Sequence, residues 1–203
     1  MIRTIVFDMG NVLLRFEPEL LMTRHGIIDP EDREIVKREM FRSVEWVMMD
    51  MGILTEEKAE PLFMARIPER LREKTRQLLY HWWEPREMVP GMEKLVRRLK
   101  QAGYGIYLLS NATVNQPKYW ETMPVSKYFN GTMISGIVKV IKPIPAIYRL
   151  FTEEFELKEE ECVFIDDAPV NVAGAVACGW KGIVFNGDPG EIEEKLRDLG
   201  VTF

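Results

Sequence analysis

Four polar stations in this 203-residue sequence carry the residue types of phosphoryl chemistry: Asp8, Ser110-Asn111, Lys142 and Asp166-Asp167. Between them they offer carboxylates for a hard metal ion, hydroxyl and amide donors, and one cation. A phosphate ester repels an incoming carboxylate, so attack requires a divalent cation, preferably Mg²⁺, held between carboxylate oxygens and the phosphate. The Ser110 hydroxyl and the Lys142 ammonium would then meet the remaining phosphoryl oxygens as negative charge spreads over them in the transition state. Asp8 would act as the nucleophile, forming an aspartyl-phosphate that water later hydrolyses. Each station also has an ordinary reading. Asp8 alone is a turn residue, Ser110-Asn111 a helix N-cap, and Lys142 a solvated surface lysine. The acidic pair is harder to explain away, because adjacent like charges at the end of a buried strand destabilise the fold unless a cation compensates them.

Three of the four stations follow the carboxyl end of a strand-like run. Ile5-Val6-Phe7 ends at the turn-forming Asp8-Met9-Gly10-Asn11. Gly105-Ile106-Tyr107-Leu108-Leu109 stops at Ser110-Asn111, Cys162-Val163-Phe164-Ile165 stops at Asp166-Asp167, and Gly182-Ile183-Val184-Phe185 stops at Asn186-Gly187. Lys142 lies in a loop before a helix. Helices are expected over about 147–155, 170–177 and 191–199, and another carries Met92, Leu95, Val96 and Leu99 on one face before Ala102-Gly103 ends it. Strands apolar on both faces, alternating with such helices, predict an open α/β fold with a mostly parallel sheet flanked by helices. Ligands bind such sheets at the carboxyl edge of the strands, where the stations converge if their strands are neighbours.

Residues 18–83 break this alternation. Charges are dense, and apolar residues recur at helical spacing, as in Ile35, Met40, Val44, Val47 and Met48. Gly52 reads as a helix stop and Thr55-Glu56-Glu57 as a new N-cap with an acidic first turn, whose pattern through Leu62 and Ala65 fades toward Pro68. The expected division is an α/β core of residues 1–16 and 85–203 with an all-helical domain, 17–84, inserted. Within the insert, Met40, Met48, Met49, Met51 and Met64 read as adaptable packing. Trp46, Trp82 and Trp83 offer either apolar faces to a sugar ring or core and hinge packing. His25 and His81 are too far apart in sequence to suggest a metal pair.

With 27 basic against 32 acidic side chains the formal net charge is −5, so no global positive field exists to hold a nucleic acid or an acidic membrane surface. A small-molecule partner fits better. Apolar residues, at 46%, supply a sizeable core. Cys162 and Cys178 lack a C-x-x-C spacing, which fits a reducing compartment and excludes a disulfide framework. No apolar stretch approaches the roughly 20 residues that span a bilayer, and the amino terminus begins with a strand-like run rather than a signal peptide. The expectation is a cytoplasmic protein whose oligomeric state is open.

Taken in order, Phe7-Asp8-Met9-Gly10-Asn11-Val12-Leu13, Leu108-Leu109-Ser110-Asn111, Lys142-Pro143-Ile144-Pro145-Ala146-Ile147-Tyr148, and Phe164-Ile165-Asp166-Asp167 with Asn171 and Gly174-Ala175 resemble the four motifs of the haloacid-dehalogenase (HAD) superfamily of hydrolases. The resemblance spans nearly the whole chain. It implies a Rossmann-like core, and the insert is similar in place and size to the family's helical cap. The Gly10-Asn11 variant looks most like bacterial sugar-phosphate phosphatases of the α-glucose-1-phosphatase kind. By this resemblance Asp8 is nucleophile and metal ligand, and the backbone carbonyl of Gly10 is a second ligand. Asp167 ligates the metal directly, while Asp166 binds it through water or orients its neighbour. Ser110 and the catalytic Lys142 bind phosphate with Asn111 beside them, and Asn171 holds the acidic pair or its loop from behind.

One position departs from the family pattern. Most phosphatases of the superfamily have an aspartate two residues after the nucleophile, which protonates the leaving oxygen and later activates water; here that position is Gly10. Such assistance is worth roughly 10²–10⁴-fold, so its absence implies a substituting group or a stable leaving alkoxide, such as a sugar's anomeric oxygen. The expected activity is Mg²⁺-dependent hydrolysis of a small phosphomonoester, a sugar phosphate among them. Two alternatives stand beside it. One is a dehalogenase or phosphonate hydrolase, relatives that also lack the second aspartate; the other is a phosphometabolite-binding protein with little turnover. Dehalogenation has no use for a metal at Asp166-Asp167, and phosphonate cleavage needs a Schiff-base lysine, for which no lysine of the insert is conspicuous, Lys37 and Lys58 being the candidates.

Overall fold

The computed structural model describes residues 1–84 and 87–203. Its strands β1 (Thr4–Phe7), β2 (Gly105–Ser110), β3 (Gly131–Ile134), β4 (Cys162–Asp166) and β5 (Lys181–Val184) pair in parallel into one sheet of order β3-β2-β1-β4-β5. Four of them are the apolar runs legible in the sequence. β3 is not, because Gly131-Thr132-Met133-Ile134 opens on a glycine, is short, and pairs on one side only, as an edge of the sheet.

Between β1 and β2 the chain builds α1 (Pro18–Arg24), α2 (Pro30–Val36), which runs on into a π-helical turn at Lys37–Phe41, α3 (Val44–Asp50), α4 (Glu56–Arg66), α5 (Glu69–His81) and α6 (Met92–Gln101). Short helices α7 (Gln116–Trp120) and α8 (Ser135–Val138) precede and follow β3. Then α9 (Pro145–Glu154) leads to β4, α10 (Pro169–Ala177) joins β4 to β5, and α11 (Pro189–Asp198) closes the fold. Alternate residues of β1 face two separate cores. Ile5 and Phe7 pack with Met92 and Leu99 of α6 and Leu196 of α11; Val6 packs with Ile147 and Phe151 of α9 and Ala175 of α10. Both faces are dry, which is why these strands read as unbroken apolar runs.

Helices α1 to α5 enclose a third core around Met22, Val36, Met40, Phe63 and Leu78. The apolar pattern expected across 35–48 is out of phase with it: Val44 and Val47 are 66% and 45% exposed, while Met40 and Met49 are buried. The cause is local. The π-helical turn ends at Phe41, and Ser43 then starts α3 afresh by accepting a hydrogen bond from the Trp46 N–H at 3.2 Å, so the periodicity is reset where a single run was assumed. Leu62 likewise faces solvent, with Ala59 and Phe63 inward.

The chain leaves for these helices and returns along one paired passage. The Arg15 N–H donates to the Glu87 carbonyl at 2.8 Å and the Val89 N–H to the Leu13 carbonyl at 2.9 Å. The return to the core expected at residue 85 lies outside the described residues. Among the described residues, no helix is long and apolar enough to cross a membrane.

Candidate active site

The sheet register assembles the site. Phe7 stands opposite Leu108 of β2 and Ile165 of β4, so the next residue, Asp8, comes level with Leu109 and Asp166, and its N–H donates to the Ile165 carbonyl at 2.9 Å. From β1 the sheet grows to one side through β2 and β3 and to the other through β4 and β5, which makes this edge the crevice where open α/β sheets take ligands. The Lys142 ammonium lies buried beneath it, donating to Asp8 Oδ1 at 2.7 Å, to Asp166 Oδ2 at 2.7 Å and to the Leu109 carbonyl at 3.0 Å. Lys142 is only 2% exposed, with Asp166 at 0% and Asp8 at 8%. The reading of Lys142 as a solvated surface lysine is therefore wrong.

The neighbouring amides hold this ion cluster in place. Asn111, expected beside the phosphate, lines the cavity, and its side chain grips the lysine loop: Nδ2 donates to the Lys142 carbonyl at 3.0 Å and Oδ1 accepts from the Lys142 N–H at 2.9 Å. What it secures is the loop that delivers the lysine. Asn171 donates to both oxygens of Asp166 at 3.1 Å, and the Ala168 N–H donates to Asp166 Oδ1 at 2.8 Å. A Cβ on Gly174 would lie 2.9 Å from the Pro143 carbonyl oxygen, so glycine lets α10 approach the lysine loop this closely. Asp167 is tied differently, accepting from Asn11 Nδ2 at 3.1 Å, while Asn11 Oδ1 accepts from the Phe16 N–H at 2.9 Å. Asn11 adopts φ 54°, a left-handed conformation that asparagine tolerates. Sequence reasoning saw Asn11 only as part of a motif and a turn; nothing in the spacing marks it as the partner of Asp167.

Asp8, Asp166 and Asp167 each place a carboxylate oxygen within 4.8 Å of the others. With Lys142, this cluster carries two net negative charges when every group is ionised. Burial pushes the Asp8 carboxyl up to about 7, with Lys142 opposing and Asp166 adding to the shift. Asp167 is raised as well, by burial, against its hydrogen bond from Asn11. Burial works against the Lys142 charge too, but Asp8 and Asp166 outweigh it and hold its pKa above the usual lysine value. Hard oxygen donors with two uncompensated negative charges fit a divalent cation such as Mg²⁺.

A cavity of about 370 Å³ opens over this edge. Asp8, Gly10, Ser110, Asn111 and Asp167 line it from the sheet, and Trp46, Asp50, Glu56, Tyr80, Trp82 and Trp83 from the helical insert. All three tryptophans flagged in the sequence thus reach it. Trp82 also packs edge-on against Phe16 and Tyr119, at 4.9 and 5.5 Å between ring centroids, and Trp83 stacks on Tyr119 at 5.3 Å. The five methionines flagged in the insert do not line the cavity, in keeping with packing. Lys37 lies away from it in ion pairs with Glu19 and Glu34, and Lys58 does not line it either. His25 contacts the His81 backbone despite their distance in sequence, outside the cavity.

Insert and core are stapled at the cavity rim. Glu56 accepts from the Thr113 hydroxyl and from Asn115 Nδ2 at 2.6 Å. The Ser135 hydroxyl donates to the Asp50 carbonyl at 2.6 Å, and the Lys139 ammonium donates to the Gly52 carbonyl. Asp50 and Glu56 were not singled out as site residues in the sequence, whose only local signals were the Gly52 stop and the Thr55 cap.

The chain is similar to known proteins in sequence and in fold. The model of the haloacid dehalogenase-like hydrolases matches residues 2–179. The chain is 25% identical over 158 residues to flavin mononucleotide hydrolase 1 of Arabidopsis thaliana, covering 77% of this chain and 62% of that protein. It is 32% identical over 101 residues to the glyceraldehyde 3-phosphate phosphatase of Pyrococcus furiosus, covering 48% and 41%. The matched region thus spans less than two thirds of each curated relative. In fold, it is similar to a HAD family enzyme of Bacteroides thetaiotaomicron solved with magnesium and inorganic phosphate, with a TM-score of 0.75 at 20% identity over 95% of this chain and 99% of that one.

Proposed function

The chain belongs to the haloacid dehalogenase-like hydrolases, and from that premise we propose that it is a Mg²⁺-dependent phosphatase of a small phosphomonoester, acting through an aspartyl-phosphate on Asp8. The observation that carries this reading is the cluster of Asp8, Asp166 and Asp167 at the sheet edge of the cavity, with Lys142 bridging Asp8 and Asp166. Asp8 lines the cavity, whereas Asp166 is fully buried behind it and held by Lys142, Asn171 and the Ala168 N–H. This supports Asp8 rather than Asp166 as the carboxylate that attacks phosphorus, with Asp166 orienting the lysine. Lys142 fixes Oδ1 of Asp8 and presents positive charge where the phosphoryl oxygens arrive, and the Ser110 hydroxyl at the end of β2 meets another of them.

Bound Mg²⁺, held by Asp8, Asp167 and the Gly10 carbonyl with Asp166 behind, would offset the charge that otherwise repels nucleophile from phosphate. Helices α1 to α5, within residues 17–84, act as a cap that excludes bulk water from the cavity. Aromatic faces of Trp46, Trp82 and Trp83 together with carboxylate acceptors suit a small hydroxyl-bearing ring, so the ester we propose is a sugar phosphate. Two curated relatives named for phosphate-ester substrates support the phosphomonoester class. The acidic pair argues against a metal-free dehalogenase. The free cysteines Cys162 and Cys178 support a reducing compartment such as the cytoplasm.

The test is hydrolysis of 4-nitrophenyl phosphate and of a panel of sugar phosphates by the purified protein. Turnover should require Mg²⁺, stop with a chelator, and fall by on the order of 10³-fold or more in Asp8→Asn. Activity that survives either treatment overturns the reading.

A further inference from the structure

Gly10 leaves this site without the proton donor that an ordinary ester's leaving oxygen requires. We propose that Asp50, carried into the cavity by the last residue of α3, is the general acid and general base of the reaction; the inference rests on the phosphatase reading. Asp50 lines the same cavity as Asp8, Ser110 and Asp167, but comes from the helical insert. Its main chain is fixed to the core. The Ser135 hydroxyl, fully buried, donates to the Asp50 carbonyl at 2.6 Å and accepts from the Ala112 N–H at 3.0 Å. Ala112 follows Ser110-Asn111, so one hydroxyl ties Asp50 to the loop that receives the phosphate. Two residues on, Gly52 has φ +61° and packs so closely on Gly136 that a Cβ there would lie 1.9 Å from the Gly136 carbonyl oxygen. The backbone that carries this carboxyl is thus fixed relative to the sheet edge, as a positioned general acid requires.

The other carboxyls of the cavity are engaged or unsuited. Both oxygens of Glu56 are taken by Thr113 and Asn115. Glu57 is held below the usual carboxylate range by a hydrogen bond to Thr55. Asp8 and Asp167 belong to the cluster that fits a cation, and Asp50 does not, among the described residues. The groups acting on Asp50 are Lys142 and Asp8 from the sheet edge and Glu56 from α4. Tyr119 of α7 lies beside it, and Lys118 and Glu57 share the cavity. Burial, with Asp8 and Glu56 adding and Lys142 opposing, pushes the Asp50 carboxyl up to about 7, the direction that suits a proton donor.

In the first step an Asp8 oxygen bonds to phosphorus, the bond from phosphorus to the ester oxygen breaks, and the Asp50 proton passes to that oxygen, releasing the alcohol. In the second, a water oxygen bonds to phosphorus, the bond from phosphorus to the Asp8 oxygen breaks, and one water proton passes to the Asp50 carboxylate. Inorganic phosphate leaves, and both aspartates return to their starting states. Of the two alternatives that Gly10 raised, a substituting group or a stable leaving alkoxide, the first then suffices.

The test uses two aromatic esters of similar shape: 4-nitrophenyl phosphate, whose leaving group needs no proton, and benzyl phosphate, whose leaving group does. In Asp50→Asn, kcat/KM for benzyl phosphate should fall roughly 10²–10⁴-fold. With 4-nitrophenyl phosphate the same variant should release a burst of nitrophenolate equal to the enzyme and then turn over slowly, because phosphorylation proceeds while dephosphorylation lacks its base. A Cβ at position 10 meets nothing nearer than Phe16 Cβ at 3.6 Å, so the backbone there accepts a side chain, and Gly10→Asp added to Asp50→Asn should restore benzyl phosphate hydrolysis about tenfold or more. Benzyl phosphate turnover unchanged in Asp50→Asn, an equal loss on both esters without a burst, or no rescue by Gly10→Asp overturns the assignment. If the unaltered enzyme hydrolyses neither ester with Mg²⁺ present, the phosphatase reading falls, and this inference with it.

Discussion

Lys142 donates to Asp8 and Asp166 from a position only 2% exposed, so its removal strands two buried carboxylates without their counter-charge. Breaking a buried pair in this way costs about 3–5 kcal/mol. Lys142→Met should lose that much unfolding free energy in urea titration, and Lys142→Met with Asp166→Asn should recover part of it. A single variant as stable as the parent would contradict the role of the lysine as the cluster's counter-ion. Asp50 acts in the opposite sense. Its folded pKa of about 7 lies above the ordinary 3.8, so the folded state binds that proton more tightly. The resulting stability is fully present below the unfolded value and is lost as pH rises through the folded one. In chelator, the melting temperature of Asp50→Asn should therefore exceed that of the parent by more at about pH 7 than at about pH 5, then level off. A constant difference would show that Asp50 titrates normally. At this scale the sequence disclosed the groups but not their partners. Asp8 and Asp166-Asp167 announce themselves by following apolar strands, whereas the pairing of Asn11 with Asp167 joins loops 156 residues apart.

Among the elements, the strands were the most legible because burial on both faces writes an apolar run into the sequence; β3, a short edge strand opening on Gly131, leaves no such mark. The phase of the insert was misread for a related reason, since the restart at Ser43 depends on one side-chain hydrogen bond rather than on composition. The junction of α3 with α8 was invisible as well, being made by Asp50, Gly52, Ser135 and Gly136 across long separations. That junction can be probed without touching a polar group. Gly52→Ala places a Cβ against the Gly136 carbonyl at a positive φ, so α3 must shift. A displacement near 1 Å costs on the order of 10²-fold in rate, and kcat should drop accordingly, with Mg²⁺ binding retained. Loss of metal binding together with rate would place the damage in the sheet edge instead.

Over the whole molecule, the net charge of −5 and the acidic cluster disfavour an anionic ester until a cation is in place. Mg²⁺ should raise the melting temperature, by the equivalent of about 2.7 kcal/mol at a hundred times its dissociation constant. Asp167→Asn should abolish most of that shift in a protein that still unfolds cooperatively; an undiminished shift would put the ion elsewhere. The organisation around an α/β core could be read from the sequence because dense charge replaces β runs over 18–83. Where the helices seat on the sheet could not, because the seam is built from scattered polar pairs. Asn11 gives this arrangement a last consequence. Its amide grips Asp167 with one end and the Phe16 N–H, where the chain departs for the insert, with the other. If Asp167 holds the ion as proposed, its berth and the point where the chain departs for the helical insert hang from a single planar group, and a pull on one should tug the other.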